Sequence, residues 1–398
     1  MKHNAASKPS VRWYRVIVLS GFFILLVLLM WWMYCALRAY APQMTDIDVS
    51  KNNRPSTVFL VMMLFLSSIL FVSETVRHRI SRMLRNIIRY KWILFGCMVV
   101  IQLLVMIAMG PFNDADSGWI VQYVIDPNVI TSKGLNGYEY LSNSPNNYLI
   151  YFIELGIHRL LPFADTQIHL TMTLRVLSVL TVDICAIAAY RIALRYGDAL
   201  IANVVLFFWC ALLGLSGWCM QPYSDVFCLP FVLALLAFSL HFLKADAIDL
   251  SYVKSAKNVA LLLLFGITMA VTYAMKPSAV IPAFACIVVW IINQIRWRAI
   301  IPLLVVLAIT GVGFVGTHVS YQRFIETQTV MPYDKNLTLP AQHFIMMGMA
   351  NTGGYDDREY QFTMSQKTYD DKVQADTAVI AQRLKDYGVF GYTRVCLL

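Results

Sequence analysis

Apolar and polar positions in this chain fall into long blocks rather than a residue-by-residue alternation. Predominantly apolar runs cover residues 16–37, 57–73, 92–110, 169–190, 199–218, 226–242, 259–275, 279–295 and 300–320. Most approach or exceed the roughly 20 residues that cross a hydrocarbon core, so about nine transmembrane helices are expected. A membrane barrel would need short alternating strands, and none is evident. The predicted class is therefore an all-α polytopic membrane protein.

One apolar stretch does not fit that count. Residues 148–161 are short for a span and carry Glu154, His158 and Arg159. A crossing here would reverse every later loop and move Arg191 and Arg195 to the wrong side. The stretch is expected instead to be an amphipathic helix lying on the outer surface. Glu154 and His158, four residues apart, share one face, and the plain expectation puts them on its wet side.

Composition agrees with a membrane protein. Of 398 residues, 59% are hydrophobic and only 14% charged, where soluble domains approach about one quarter. Mean hydropathy is +0.61. The net charge of +9 does not argue for nucleic acid, because the cations gather in short linkers between apolar runs. Arg77, Arg79, Arg82, Arg85, Arg89 and Lys91 form the densest group. Arg191 and Arg195, then Lys244, Lys254 and Lys257, then Arg296 and Arg298 follow. By the positive-inside rule these linkers are cytoplasmic, as is the N-terminus, with residues 16–37 an uncleaved anchor. The eight cysteines are scattered, without metal spacing, and read as small apolar residues.

This topology divides the chain into residues 1–91 (two spans and a basic loop), 92–320 (a membrane core) and 321–398 (an outer segment). The last segment contains a helical stretch near residues 365–387. It breaks off at 395–398 without a cap or tail, as a truncated chain would.

The candidate chemistry lies in the outer loop at 111–169. Asp114 and Asp116 stand where the chain leaves the membrane after residues 92–110. Acids so placed can share a divalent cation such as Mg or Mn, or take a proton from a hydroxyl. The plainer alternative makes Asp116 or Ser117 the cap of a short helix over 118–125. Lys276, at the end of a span and before Pro277, suits a lipid phosphate. Arg175 and Asp183 fall inside an apolar run and must face protein or water. Arg175 lies near the outer surface, where it too is a candidate for substrate, with an ion pair as the alternative. Gln221, Tyr223 and Asp225 crowd another outer loop, where Ser224 or Asp225 also suits a helix cap.

Together these features resemble the GT-C glycosyltransferases. The resemblance rests on Asn113-Asp114-Ala115-Asp116, the Tyr140 to Asn147 segment ending Pro-Asn-Asn, and Thr173-Leu174-Arg175-Val176-Leu177-Ser178. Lys276-Pro277-Ser278 and His343-Phe344-Ile345-Met346-Met347-Gly348 add to it. Within that group the chain looks most like integral membrane proteins of Gram-positive bacteria. The likeness spans residue 92 to the C-terminus. It implies transfer of a sugar from a polyprenyl-phosphate donor to an envelope glycan, lipid or protein. Asp114 would be base or metal partner, with Asp116 assisting, and Lys276 would meet the carrier phosphate. Asn146, Asn147, Arg175, Tyr223 and Asp225 would line the substrate. The competing classes are a transporter or lipid flippase, whose inverted repeats and broken mid-membrane helices are not evident here, and a non-catalytic assembly protein.

Overall fold

A computed structural model describes residues 90–109, 116–244, 250–294, 300–350 and 355–397. Among the described residues the regular structure is helical, with loops and turns between the helices and no strand. The chain divides into two compact units, Met83–Thr338 and Met1–Arg82 with Leu339–Leu398.

In the first unit, α1 (Lys91–Met109) leads to a connecting segment of three short helices, α2 (Asp116–Ile125), α3 (Gly137–Asn143) and α4 (Tyr148–Leu160). Then come α5 (Gln167–Tyr196), α6 (Ala199–Phe208), the one-turn α7 (Ser224–Phe227) and α8 (Leu229–Leu243). The unit closes with α9 (Leu250–Lys254), α10 (Ala256–Met275), α11 (Ile281–Gln294) and α12 (Ile300–Thr327).

Among the described residues, five segments are long and apolar enough to cross a membrane: Lys91–Ala108, Gln167–Tyr196, Ser224–Leu243, Ala256–Met275 and Ile301–Thr327. Ala199–Gly214 and Pro277–Ile292 are shorter apolar helices. The expected spans at 16–37 and 57–73 lie outside the described residues. Outward side chains on these helices, such as Ile107, Leu212 and Ile301, are exposed, as apolar groups facing hydrocarbon would be.

Local chemistry sets the boundaries. Thr166 caps α5, accepting from the His169 amide at 3.2 Å, and the helix stops at Gly197. Asp198 then caps α6 through the Ile201 amide at 2.8 Å. α6 ends earlier than its apolar run, in a π turn over Trp209–Gly214. The turn is held from both sides. The Trp209 indole donates to the Val182 carbonyl at 3.1 Å, and Gln102 donates to the Gly214 carbonyl at 2.9 Å. Gln102 also donates to Asp183 at 3.2 Å, so this carboxylate is enclosed by protein rather than lipid.

α10 and α12 pack along most of their lengths. Their contact needs glycine on each side. A Cβ on Gly266 would run into the Thr310 carbonyl oxygen and the Phe314 amide. A Cβ on Gly313 would sit 2.6 Å from the Leu263 carbonyl oxygen. Both obstacles are backbone, so neither can move aside. Small residues that let helix backbones approach are a common basis of packing in lipid, where burial of apolar surface drives little.

The connecting segment has its own core. Ile120, Tyr123, Tyr140, Leu141, Tyr148 and Tyr151 are buried together with Leu170 and Leu174 of α5. α3 opens with a reciprocal capping box between Asn136 and Glu139. The chain after α12 is strapped across it. Tyr148 donates to the Pro332 carbonyl at 2.8 Å, the Asp334 amide to the Ser142 hydroxyl at 3.1 Å, and Thr338 to the Ser142 carbonyl at 2.8 Å.

The second unit is described through α13 (Ala341–Gly348), α14 (Asp357–Met364) and α15 (Tyr369–Leu397). The helix expected near 365–387 starts at Tyr369 and continues past that range, with a break at Gly388, whose φ is +60°. His343, Thr363 and Asp376 form a buried chain of hydrogen bonds of 2.8 and 2.9 Å. Thr363 donates to the carboxylate, so its oxygen accepts from Nδ1 of His343. Asp356 caps α14 through the Arg358 amide at 2.9 Å.

The glycine crossing gives a direct test. Gly266→Val and Gly313→Val are each expected to destabilise the purified protein by at least the about 1–3 kcal/mol typical of overpacking. Gly311→Val, where a Cβ meets open space, is expected to be far milder. Thermal unfolding in detergent reads the difference.

Candidate active site

At one end of the long helices, polar groups from four distant stretches meet. The centre is Asn147, the last residue of the Pro145–Asn147 turn, and only 2% exposed. Its amide Nδ2 donates to the Tyr140 hydroxyl at 3.0 Å. Its Oδ1 accepts from the Tyr223 hydroxyl at 3.0 Å and from the Asn146 amide at 3.2 Å. Tyr223 also reaches Asp116 Oδ2 at 3.4 Å, and Tyr140 is hydrogen-bonded to the same carboxylate. Asp116, Tyr140, Asn147 and Tyr223 thus form a closed ring.

The electrostatics of the ring follow from burial. Enclosure and the nearby Asp116 charge push the Tyr140 hydroxyl well above the ordinary phenol range. The same two causes push Tyr223 up. Both phenols remain protonated at neutral pH, so each is a donor. Tyr140 and Tyr223 thus fix the position of the Asp116 carboxylate from two sides.

Two residues beyond Tyr223, Asp225 forms an ion pair with Lys276, both side chains partly exposed. Lys276 owes its position to the residue after it. Pro277 cannot continue α10 and favours an extended conformation before it. Lys276 has φ −153° and ψ 105°, while its amide still donates to the Thr272 carbonyl at 2.8 Å. α10 packs against the Pro145–Asn147 turn, so the cation arrives beside the ring.

α5 supplies the back wall. Ser178 donates to the Cys219 and Gln221 carbonyls at 2.8 and 3.3 Å. Gln221 in turn donates to the Ser117 hydroxyl at 2.6 Å. Arg175, one turn before Ser178, is 3% exposed and so enclosed by protein.

Of the residues the sequence singles out, Asp116, Asn146, Asn147, Tyr223, Asp225 and Lys276 come together. Arg175 lies on the wall behind them. Asp114 lies outside the described residues. Three expectations need correction. The short helix starts at Asp116, not 118, and the Asp116 carboxylate turns to the two phenols. Neither Ser224 nor Asp225 caps α7. Its cap position is Tyr223, which makes no capping bond, and Asp225 is committed to Lys276.

The third correction is Glu154. It lies on the buried face of α4, fully enclosed, not on a wet face. Both carboxylate oxygens lack a hydrogen-bond partner among the described residues. Aromatic neighbours on the same face, Tyr148 and Tyr151, bury with it. His158 is half-buried, its Nδ1 donating to the Ala164 carbonyl at 2.7 Å. Tyr140 was not singled out by residue type, and because the helix breaks at Ser144 before the Pro145–Asn147 turn, no helical spacing pointed to its bond with Asn147.

A family model described as conserved hypothetical integral membrane protein matches residues 12–397. Comparison with curated proteins and with solved structures gives no significant match.

Burial holds the pKa of Glu154 well above its ordinary value of 4.5. The folded chain then keeps a proton that the unfolded chain releases. Stability is full below the ordinary carboxyl value and is lost as pH rises toward the folded pKa. Glu154→Gln is expected to flatten this loss across the range above the ordinary carboxyl value. Thermal unfolding across that range checks it, and equal slopes for both proteins would show that Glu154 does not titrate with folding.

Proposed function

The chain belongs to the conserved hypothetical integral membrane protein family, and we propose that its Asp116–Asn147–Tyr223–Lys276 cluster transfers a sugar from a lipid-phosphate donor to an envelope hydroxyl. One observation carries the reading. Tyr223 reaches the Asp116 carboxylate, and two residues further on Asp225 holds the Lys276 cation at the end of an apolar helix. A polyprenyl-phosphate donor presents the complementary pair, a sugar carbon that gains positive charge and a phosphate that gains negative charge.

In the proposed reaction the acceptor oxygen forms a bond to the anomeric carbon. The bond from that carbon to the carrier phosphate breaks, and its electron pair leaves with the phosphate. Lys276 stabilises the departing phosphate, exchanging Asp225 for it in part. Asp116, positioned by Tyr140 and Tyr223, stabilises the charge that develops on the sugar ring. The acceptor proton passes to a second carboxylate, for which Asp114 is the candidate from its place two residues away. Asn146 and Asn147 supply amides for sugar hydroxyls.

Among the described residues no group of three or more His, Cys, Asp or Glu converges on a metal position. Asp116 is the described acid of the ring, and its oxygens already face phenols. Asp114, the other acid of the expected Mg or Mn pair, lies outside the described residues, and no step is routed through a metal. Charge neutralisation is assigned to Lys276. In this reading the cluster lies on the outer face, opposite the basic linkers, and the donor needs no nucleotide site.

Purified protein is tested for transfer from polyprenyl-phospho-sugars to a lipid or glycan acceptor. Asp116→Asn and Asp114→Asn are each expected to lower kcat by roughly 100-fold or more, as loss of an acid–base or charge-stabilising group does. Lys276→Gln is expected to raise the donor KM as well. Full transfer by all three variants would sink the proposal. Solute or lipid movement into vesicles, lost in the same variants, would favour a transporter instead.

A further inference from the structure

At the other end of the same helices lies a cavity of about 360 Å³ that the proposed reaction does not use. Its cations are Arg195 near the end of α5 and Lys257 at the start of α10, and the His241 imidazole near the end of α8 joins the lining. Its floor is apolar, with Ala234, Phe238 and Leu261. The lining among the described residues includes no acid. From the structure we infer that this cavity holds the phosphate head of an anionic membrane lipid, with the start of its apolar chain lying over the floor.

Several observations support a built site over scattered surface charge. The Arg195 guanidinium lies 5.7 Å from the centre of the Tyr196 ring, and the Lys244 ammonium 5.0 Å from the same centre. Tyr196 also lines the cavity. It therefore gathers two cations at its mouth through their attraction to the ring face. α8 packs against both α5 and α10, so three helices contribute to one wall.

Depth is the second argument. α10 has 20 residues, about 30 Å of helix, which matches the hydrocarbon thickness. Lys257 and Lys276 mark its two ends. The cavity thus sits at headgroup level with its floor turned toward the hydrocarbon. A soluble anion would use the cations and leave the apolar floor uncovered. A lipid phosphate uses both, and its chain continues along the exposed apolar surface of neighbouring Leu236 and Leu264.

The test uses the full chain, purified in detergent, with lipid retention read by native mass spectrometry. Phosphatidylglycerol, phosphatidylcholine and inorganic phosphate are the probes. Retention of phosphatidylglycerol over phosphatidylcholine is expected, because the choline cation opposes the cationic rim. Arg195→Gln and Lys257→Gln are each expected to weaken retention about fivefold, and together roughly 25-fold. Both residues are exposed, so neither change should disturb folding. Ala234→Trp, which fills the floor and leaves the charges, is expected to reduce retention as well.

Lys254→Gln, an exposed cation that is not part of the lining, is the control. If it weakens retention as much as Arg195→Gln, the charge is diffuse and the inference fails. It also fails if inorganic phosphate at millimolar concentration displaces the lipid, since the floor would then contribute nothing. Sugar transfer is not involved in any readout, so the two proposals stand or fall separately.

Discussion

The side-chain amide of Asn147 ties the connecting segment to the membrane helices. Its nitrogen holds Tyr140 of α3, and its oxygen holds Tyr223 at the start of α7. Because an amide has a donor end and an acceptor end, the phenols on either side take different roles. Tyr140 accepts from Asn147 and so is left to donate to Asp116. Tyr223 has one hydroxyl hydrogen, which goes to Asn147 at 3.0 Å and leaves Asp116 the longer contact at 3.4 Å. With both phenols kept protonated by burial, that is how the hydrogen bonds of the ring run. The placement of Asp116 depends on that arrangement, and so does the approach of Asp225 and Lys276.

The membrane explains why polar groups gather at helix ends. Backbone amides in hydrocarbon must be satisfied within the helix, which leaves side chains to decide helix contacts. In the interior the chain meets this with small residues, Gly266 against Thr310 and Gly313 against Leu263. It meets it again with one polar link, Gln102 to Asp183 and Gly214. At the ends of the helices, where water and headgroups are available, charge is affordable. One end carries the Asp116 ring and the Asp225–Lys276 pair. The other carries Arg195, His241 and Lys257 around an apolar floor.

Some residues carried their meaning in the sequence and others did not. Lys276 was legible because a cation before proline at the end of an apolar run has few places to go. Asp116 and Asn147 were legible as types, though not as partners. Glu154 misled for a physical reason. A helix of 13 residues with one acid reads as amphipathic, yet the acid lies on the face that Tyr148 and Tyr151 bury. Ser224 and Asp225 also misled, since a residue that suits a cap is free for another use when the backbone turns differently. The strap of Pro332, Asp334 and Thr338 over α3 and α4 had no local signal, because its bonds join residues more than 180 positions apart.

The sequence by itself determined the solvent of this protein. Long apolar blocks with basic linkers can be stable only as helices in a bilayer, and that conclusion needs nothing beyond hydrophobic length. It also placed most of the polar candidates at helix ends, because charge in mid-membrane is costly. Only the tertiary structure decided which candidates meet. Asp116, Asn147, Tyr223 and Lys276 are separated by tens of residues, and no periodicity links them. Their convergence depends on how helices pack in three dimensions, on backbone contacts at two glycines and on the orientation of one amide.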